Sequence, residues 1–164
     1  MLEIVSLKER AEKEAAKTKA FFQRIKKRKP PKLDDIVQEL HEEAFEKIDC
    51  LECANCCKTI SPIITDRDID RMAKELRIRP SELITRYLYL DSDGDYVYKS
   101  QPCPFLMVDN YCSIYESRPK ACREYPHTDR RKFDQLLNLT MKNTYVCPAA
   151  FHIVEQMKKH PGLL

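Results

Sequence analysis

Along residues 3–28, Leu7, Ala11, Ala15, Thr18, Phe22 and Ile25 recur at steps of three and four. Such a stripe predicts a long, heavily charged helix with a narrow apolar face. Glu9 and Lys13 stand four apart on it as a supporting pair. Lys26, Lys27, Arg28 and Lys29 suit the negative end of the helix dipole, and Pro30-Pro31 breaks the helix. A second stripe, Leu33, Ile36, Val37, Leu40, Ala44 and Ile48, predicts a helix from Leu33 to Ile48 that leads directly to Cys50. Phe21 and Phe22 are expected to seal a seam with Ile36, Val37 and Leu40.

Farther on the elements shorten. Thr65 is a good N-cap, with Asp66 and Asp68 in the first turn, and Ile69, Met72, Ala73 and Leu76 mark a short helix. Pro80-Ser81 opens another, holding Leu83, Ile84, Tyr87 and Leu88. No basic recognition face accompanies this pair, so it does not read as a DNA-binding helix-turn-helix. In Asp91-Ser92-Asp93-Gly94-Asp95 the glycine is fourth rather than sixth, and the twelfth position is Pro102, which excludes a calcium-binding EF-hand loop. Asp93-Gly94 instead predicts a hairpin turn before Tyr96-Val97-Tyr98. Residues 105–115 predict a short strand pair turning at Asp109-Asn110. Ala149 to Lys159 predicts a final helix with Ala150, Ile153, Val154 and Met157 on one face. The expected fold is mainly α with short β-hairpins: a helical arm at 1–47, then a small irregular metal-stapled core at 48–164.

Charge sharpens that division. Residues 1–32 carry 11 Lys/Arg against 4 Asp/Glu, a balance of +7, and residues 33–164 carry 18 against 22, a balance of −4. The basic excess therefore belongs to the arm. Glu9, Glu12 and Glu14 interrupt its cations, which weakens any continuous phosphate track. The arm is expected to be a solvated helix packed lightly on the second helix, or a contact for self-association or an unknown protein partner, with no specific nucleic acid. No run approaches the ~18 apolar residues that span a bilayer, and the N-terminus lacks the apolar core of a signal peptide. The expected location is the cytoplasm.

A reducing compartment changes how eight cysteines read, because clustered thiols there hold metal or do redox work more often than they form disulfides. Cys50-x2-Cys53-x2-Cys56 matches the run that wraps a [4Fe–4S] cluster in bacterial ferredoxins, where a remote Cys-Pro completes the set. Cys103-Pro104 and Cys147-Pro148 both offer that pair. Cys57 adjoins Cys56, and neighbouring side chains in an extended segment diverge. Cys57 could serve a second centre, bridge two metals, remain a redox thiol, or be a small buried residue. Cys103, Cys112, Cys122 and Cys147 form a dispersed second group. Structural zinc usually takes two C-x2-C pairs, and no second pair occurs here, so iron–sulfur is favoured and zinc is the alternative. His41, His127, His152 and His160 read as surface or helix-face residues.

Taken together, CLECANCC at 50–57, CPFL at 103–106, CSIYESRPKACREYP at 112–126 and Cys147-Pro148 resemble the YkgJ-like CxxCxxCC family of zinc- or iron-chelating domains. The resemblance covers residues 48–150. It implies metal binding and, residue by residue, carries all eight cysteines over as ligands. It implies nothing for the arm. A related flagellin lysine methylase implies methyl transfer in some members. With only Gly94 and Gly162, this chain lacks the glycine-rich turn of a nucleotide-type methyl-donor site, and that activity is not carried over. Arg118 and Arg123 flank Cys122 and are candidates for offsetting the negative charge of a thiolate-bound cluster. Tyr111, Tyr115 and Tyr125 read as shielding core residues. Whether the chain is an enzyme stays open, since it shows no paired carboxylates, Ser-His-Asp pattern or phosphate loop. The leading reading is an iron–sulfur or other iron centre with a redox or enzyme-supporting role. The competitors are a zinc-stapled interaction module and a thiol oxidoreductase using Cys56 and Cys57.

Overall fold

The Leu7-to-Ile25 stripe forms one continuous helix, α1 (Ile4–Arg28), in the computed structural model, which describes residues 4–164. It stops ahead of the two prolines, where Lys29 turns left-handed (φ 46°) and its N–H reaches the Ile25 carbonyl at 2.8 Å. The second stripe forms α2 (Leu33–Phe45), which ends short of Ile48. The later helices are short: α3 (Cys50–Cys53), α4 (Asn55–Thr59), α5 (Asp66–Leu76), α6 (Pro80–Tyr87), α7 (Lys120–Glu124), α8 (Leu137–Asn143) and α9 (Pro148–Met157). With one two-stranded antiparallel hairpin, the fold is mainly α, as the sequence predicts.

The chain divides into two compact units, Met1–Cys53 with Pro126–Leu164, and Ala54–Tyr125. That division differs from a 1–47 arm followed by a 48–164 domain. In the first unit α2 packs chiefly on α9, and α1 packs on α8 and α9. Phe21, Phe22 and Ile25 of α1 share a core with Ile36, Val37 and Leu40, which forms the expected seam, and also with Phe133, Ile153, Val154 and Met157. Phe133, Ile153 and Met157 are fully buried. Each such side chain contributes about 1.5–3 kcal/mol when removed from water. Thus α1 is not a lightly packed, solvated arm; its stripe is spent on residues more than 100 positions away in sequence. Asp34 adds a polar tie: its carboxylate accepts the Lys132 and Phe133 N–H groups at 2.8 and 2.9 Å, fixing the turn that delivers Phe133.

The second unit is built from smaller pieces. Thr65 caps α5 in a reciprocal capping box with Asp68, and Pro80 opens α6. Leu88, expected at the end of that helix, begins β1 (Leu88–Leu90), which pairs antiparallel with β2 (Tyr96–Tyr98) in the register Leu88↔Tyr98. Gly94 supplies the φ of 82° that the turn requires, and the Asp91 carboxylate accepts the Asp93 and Asp95 N–H groups. Residues 105–115 do turn at Asp109-Asn110, where Asn110 is left-handed. The expected strand pair there is reduced to a single bridge, Leu106↔Cys112. Ile69, Met72, Leu83, Leu88, Tyr98, Phe105 and Ile114 make the core, with Cys103 and Cys112 packed against it.

Candidate metal centre

Local backbone decides which way the clustered thiols face. Cys50 and Cys53 bound α3, while Cys56 and Cys57, expected in an extended segment, lie in the helix α4, whose N-cap Ala54 is left-handed (φ 44°). Successive helical side chains are rotated by about 100°, so Cys56 and Cys57 still diverge, for a different reason. A hydrogen bond from the Cys56 side chain is the main influence holding the Cys57 thiol down to about 7, against burial and with help from Lys58. None of the eight cysteines is in a disulfide, and they grade from exposed Cys50 to buried Cys147.

Four thiols of the second unit lie within one another's electrostatic reach. The Cys103 N–H donates to the Cys57 carbonyl at 2.7 Å, and the Leu106↔Cys112 bridge folds the loop after Cys103 back on itself. Cys122 lies in α7. Burial pushes Cys103 up to about 11, and Cys57 and Cys112 push the same way. Burial pushes Cys122 up to about 12, joined by Cys57, Cys103 and Cys112. Cys112 is also raised, first by burial and then by Cys57, with Arg118 opposing. Arg118 likewise opposes the rise at Cys122. Each thiol thus lies in the field of the others. Tyr98 lies in that field too: burial, then Cys103, Cys122, Cys112 and Cys57, all keep its hydroxyl protonated.

The first unit brings together a second set. Burial pushes Cys147 up to about 12, and Cys50 and Cys53 push the same way, against the Ala150 and Ala149 N–H groups. Cys147 is the N-cap of α9, its sulfur accepting the Ala150 N–H at 3.4 Å, and Pro148 occupies the first helical turn. Of the two remote Cys-Pro pairs, then, Cys147-Pro148 is the one that joins Cys50 and Cys53, while Cys103-Pro104 joins Cys57, Cys112 and Cys122. Cys56, bonded to Cys57, is counted in neither set.

Donor chemistry fits a thiophilic metal in both sets, since every member is a sulfur and none is consumed in a disulfide. Among the described residues no three Cys, His, Asp or Glu side chains already converge on a point that could hold an ion. Arg118 lies with its guanidinium 3.7 Å from the centre of the Tyr115 ring. Arg123 follows Cys122 in α7 and is exposed. Tyr111 and Tyr115 stack on each other at 5.6 Å and are exposed, not the shielding core residues expected.

Sequence reasoning missed what supports Cys122. Asp68 reads only as a first-turn charge, yet its carboxylate accepts the Lys120 N–H at the start of α7 at 3.0 Å. The Thr65-x2-Asp68 spacing signals the cap. Nothing in the sequence signals a contact 52 residues away. Comparison with known proteins comes to one match: a family model, CxxCxxCC, described as a "putative zinc- or iron-chelating domain", fits residues 49–148. No curated protein and no solved structure matches the chain.

Proposed function

This chain belongs to the CxxCxxCC family, and from that premise we propose that it holds an iron–sulfur cluster, or another iron centre, through its clustered cysteines. Metal chelation is the family's property. The choice of iron rests on one observation: Cys147, which heads a Cys-Pro pair, is a neighbour of Cys50 and Cys53. Cys56 would have to join them as the fourth thiolate, completing the ferredoxin combination of a C-x2-C-x2-C run with a remote Cys-Pro. The Ala150 N–H on the Cys147 sulfur adds a hydrogen bond of the kind that raises a cluster's reduction potential. When bound, the cluster would supply one-electron chemistry. Arg118, felt at Cys112 and Cys122, would offset thiolate charge in the other set. A redox or reaction-supporting role follows from this reading.

A zinc staple is the second reading, and it draws on the second unit. Cys57, Cys103, Cys112 and Cys122 are four thiols beside a small core, the donor set of a closed structural zinc site. Anaerobic purification from iron-supplied cells separates the readings. A brown protein with iron and acid-labile sulfide in equal amounts supports the first. A colourless protein with stoichiometric zinc overturns it and supports the second. Cys147→Ser should remove iron while leaving metal bound by the other four thiols.

A further inference from the structure

We propose that Asp68 is a positioning residue for the thiol set of the second unit: by holding the Lys120 backbone, it sets where Cys122 presents its sulfur. The inference rests on the reading that Cys57, Cys103, Cys112 and Cys122 share a metal.

Asp68 is almost entirely enclosed, and its two oxygens face four donors. Oδ2 accepts the Thr65 N–H at 3.0 Å and the Thr65 hydroxyl at 2.8 Å. Oδ1 accepts Arg71 Nη2 at 2.6 Å and the Lys120 N–H at 3.0 Å. The first pair completes the capping box of α5. The second pair is not needed for that cap. Arg71 Nη2 also donates to the Arg118 carbonyl at 2.8 Å, so the carboxylate–guanidinium pair grips the chain on both sides of Pro119.

What is gripped cannot hold itself. The α7 helix has five residues, too few for its own hydrogen bonds to fix it. The Pro119 carbonyl accepts the Cys122 and Arg123 N–H groups at 2.9 and 3.1 Å, while the Lys120 N–H, with no partner inside the helix, goes to Asp68. Cys122 sits two residues beyond Lys120 and donates its own N–H to the Pro119 carbonyl, so the Asp68–Lys120 and Arg71–Arg118 bonds on either side of Pro119 anchor the turn that carries its sulfur. An ionised carboxylate is costly to bury even when paired. A cap alone could use an exposed one. Support of a metal ligand from one layer out gives this buried one a use, and such outer supports typically matter about 10–100-fold for metal binding.

The test is cysteine alkylation of the anaerobically purified, metal-loaded protein with iodoacetamide, resolved site by site by mass spectrometry. In the unaltered protein all four thiols should be protected relative to chelator-treated protein. In Asp68→Asn, Cys122 should label about 10–100-fold faster, while Cys57, Cys103 and Cys112 stay protected. Thr65→Ala removes the cap hydroxyl but keeps the Lys120 contact, and Cys122 should stay protected. Should Asp68→Asn fail to fold, Lys120→Pro deletes the N–H donor, together with the exposed Lys120–Glu124 ion pair, at a position where proline is tolerated, and it should release Cys122 in the same selective way. Unchanged protection of Cys122 in Asp68→Asn or, where that variant does not fold, in Lys120→Pro overturns the proposal. So does parallel labelling of all four thiols, which would make Asp68 a stability residue only. Unprotected thiols in the unaltered, metal-loaded protein would instead overturn the shared centre itself, and this inference with it.

Discussion

The first unit gathers long apolar stripes: α1, α2 and α9 contribute whole helical faces, and Phe133 fills the space beside them. The second has an eleven-residue helix as its longest element and a three-residue strand pair as its sheet. Its core is finished by Cys103 and Cys112, which pack at the edge of the apolar cluster. Where side chains alone bury enough surface, a thiol group can be an addition to a fold that stands without it. Where elements are this short, ligands closing on a metal become part of what holds the chain together, as in small metal-stapled domains generally.

Removing metal should therefore have the largest effect, and an unequal one. Structural thiolate sites contribute about 10–16 kcal/mol of apparent folding energy. Chelation should strip amide protection across Ala54–Tyr125 and leave Phe21–Leu40 and Phe133–Met157 slow to exchange. Peptide-resolved hydrogen exchange before and after chelator checks this. Equal loss in both units would erase the contrast.

The converse lesion lies in the other core. Phe133→Ala should cost about 3–5 kcal/mol, read by urea unfolding of the α1, α2 and α9 region. Metal held by Cys57, Cys103, Cys112 and Cys122 should be unchanged in native buffer.

A weaker effect, confined to the first unit, comes from pH. Lys158 binds Glu14 at 2.8 Å and Glu155 at 2.6 Å. Its hydrogen bond to Glu14, followed by one from Lys17, holds that carboxyl down to about 2 from its ordinary 4.5. A depressed carboxyl stabilises the fold above its unfolded value, and that stabilisation is lost as pH falls. Lys158 is raised: burial opposes its charge, but Glu14 and Glu155 outweigh it. Its contribution is complete below its ordinary 10.5 and fades only at higher pH. The melting temperatures of the unaltered protein and Glu14→Gln should thus differ at pH 6 and converge as pH is lowered from 4.5 toward 2. A gap that persists at pH 2 would refute the assignment.

The smallest effect concerns the hairpin of the second unit. A Cβ at Gly94 would meet nothing within 4 Å, but the φ of 82° remains. Gly94→Ala should cost about 1 kcal/mol through backbone strain alone, without loss of metal. A larger loss, with metal released, would mean that the turn positions a ligand.

Periodicity and local chemistry were enough to write down α1, α2, α5, α6 and α9, the Thr65 cap, the Gly94 turn, and a cysteine pattern specific enough to declare metal chelation. Those features depend on residues within one or two turns of each other, where sequence spacing is spatial spacing. The same reading packed α1 only lightly on α2, or left it for an oligomer contact, because a stripe does not say which distant residues cover it, and Phe133 and Ile153 are distant. It read Cys56-Cys57 as extended, because a five-residue helix carries too few turns to show a period. It offered two Cys-Pro pairs without choosing between them. Only tertiary structure brings Cys147 into the field of Cys50 and Cys53, puts Cys57 in that of Cys103 and Cys122, and turns the spare oxygen of a capping aspartate toward the helix of Cys122. Ligand grouping is a matter of which loops meet, and loops meet through long-range packing that no local pattern encodes.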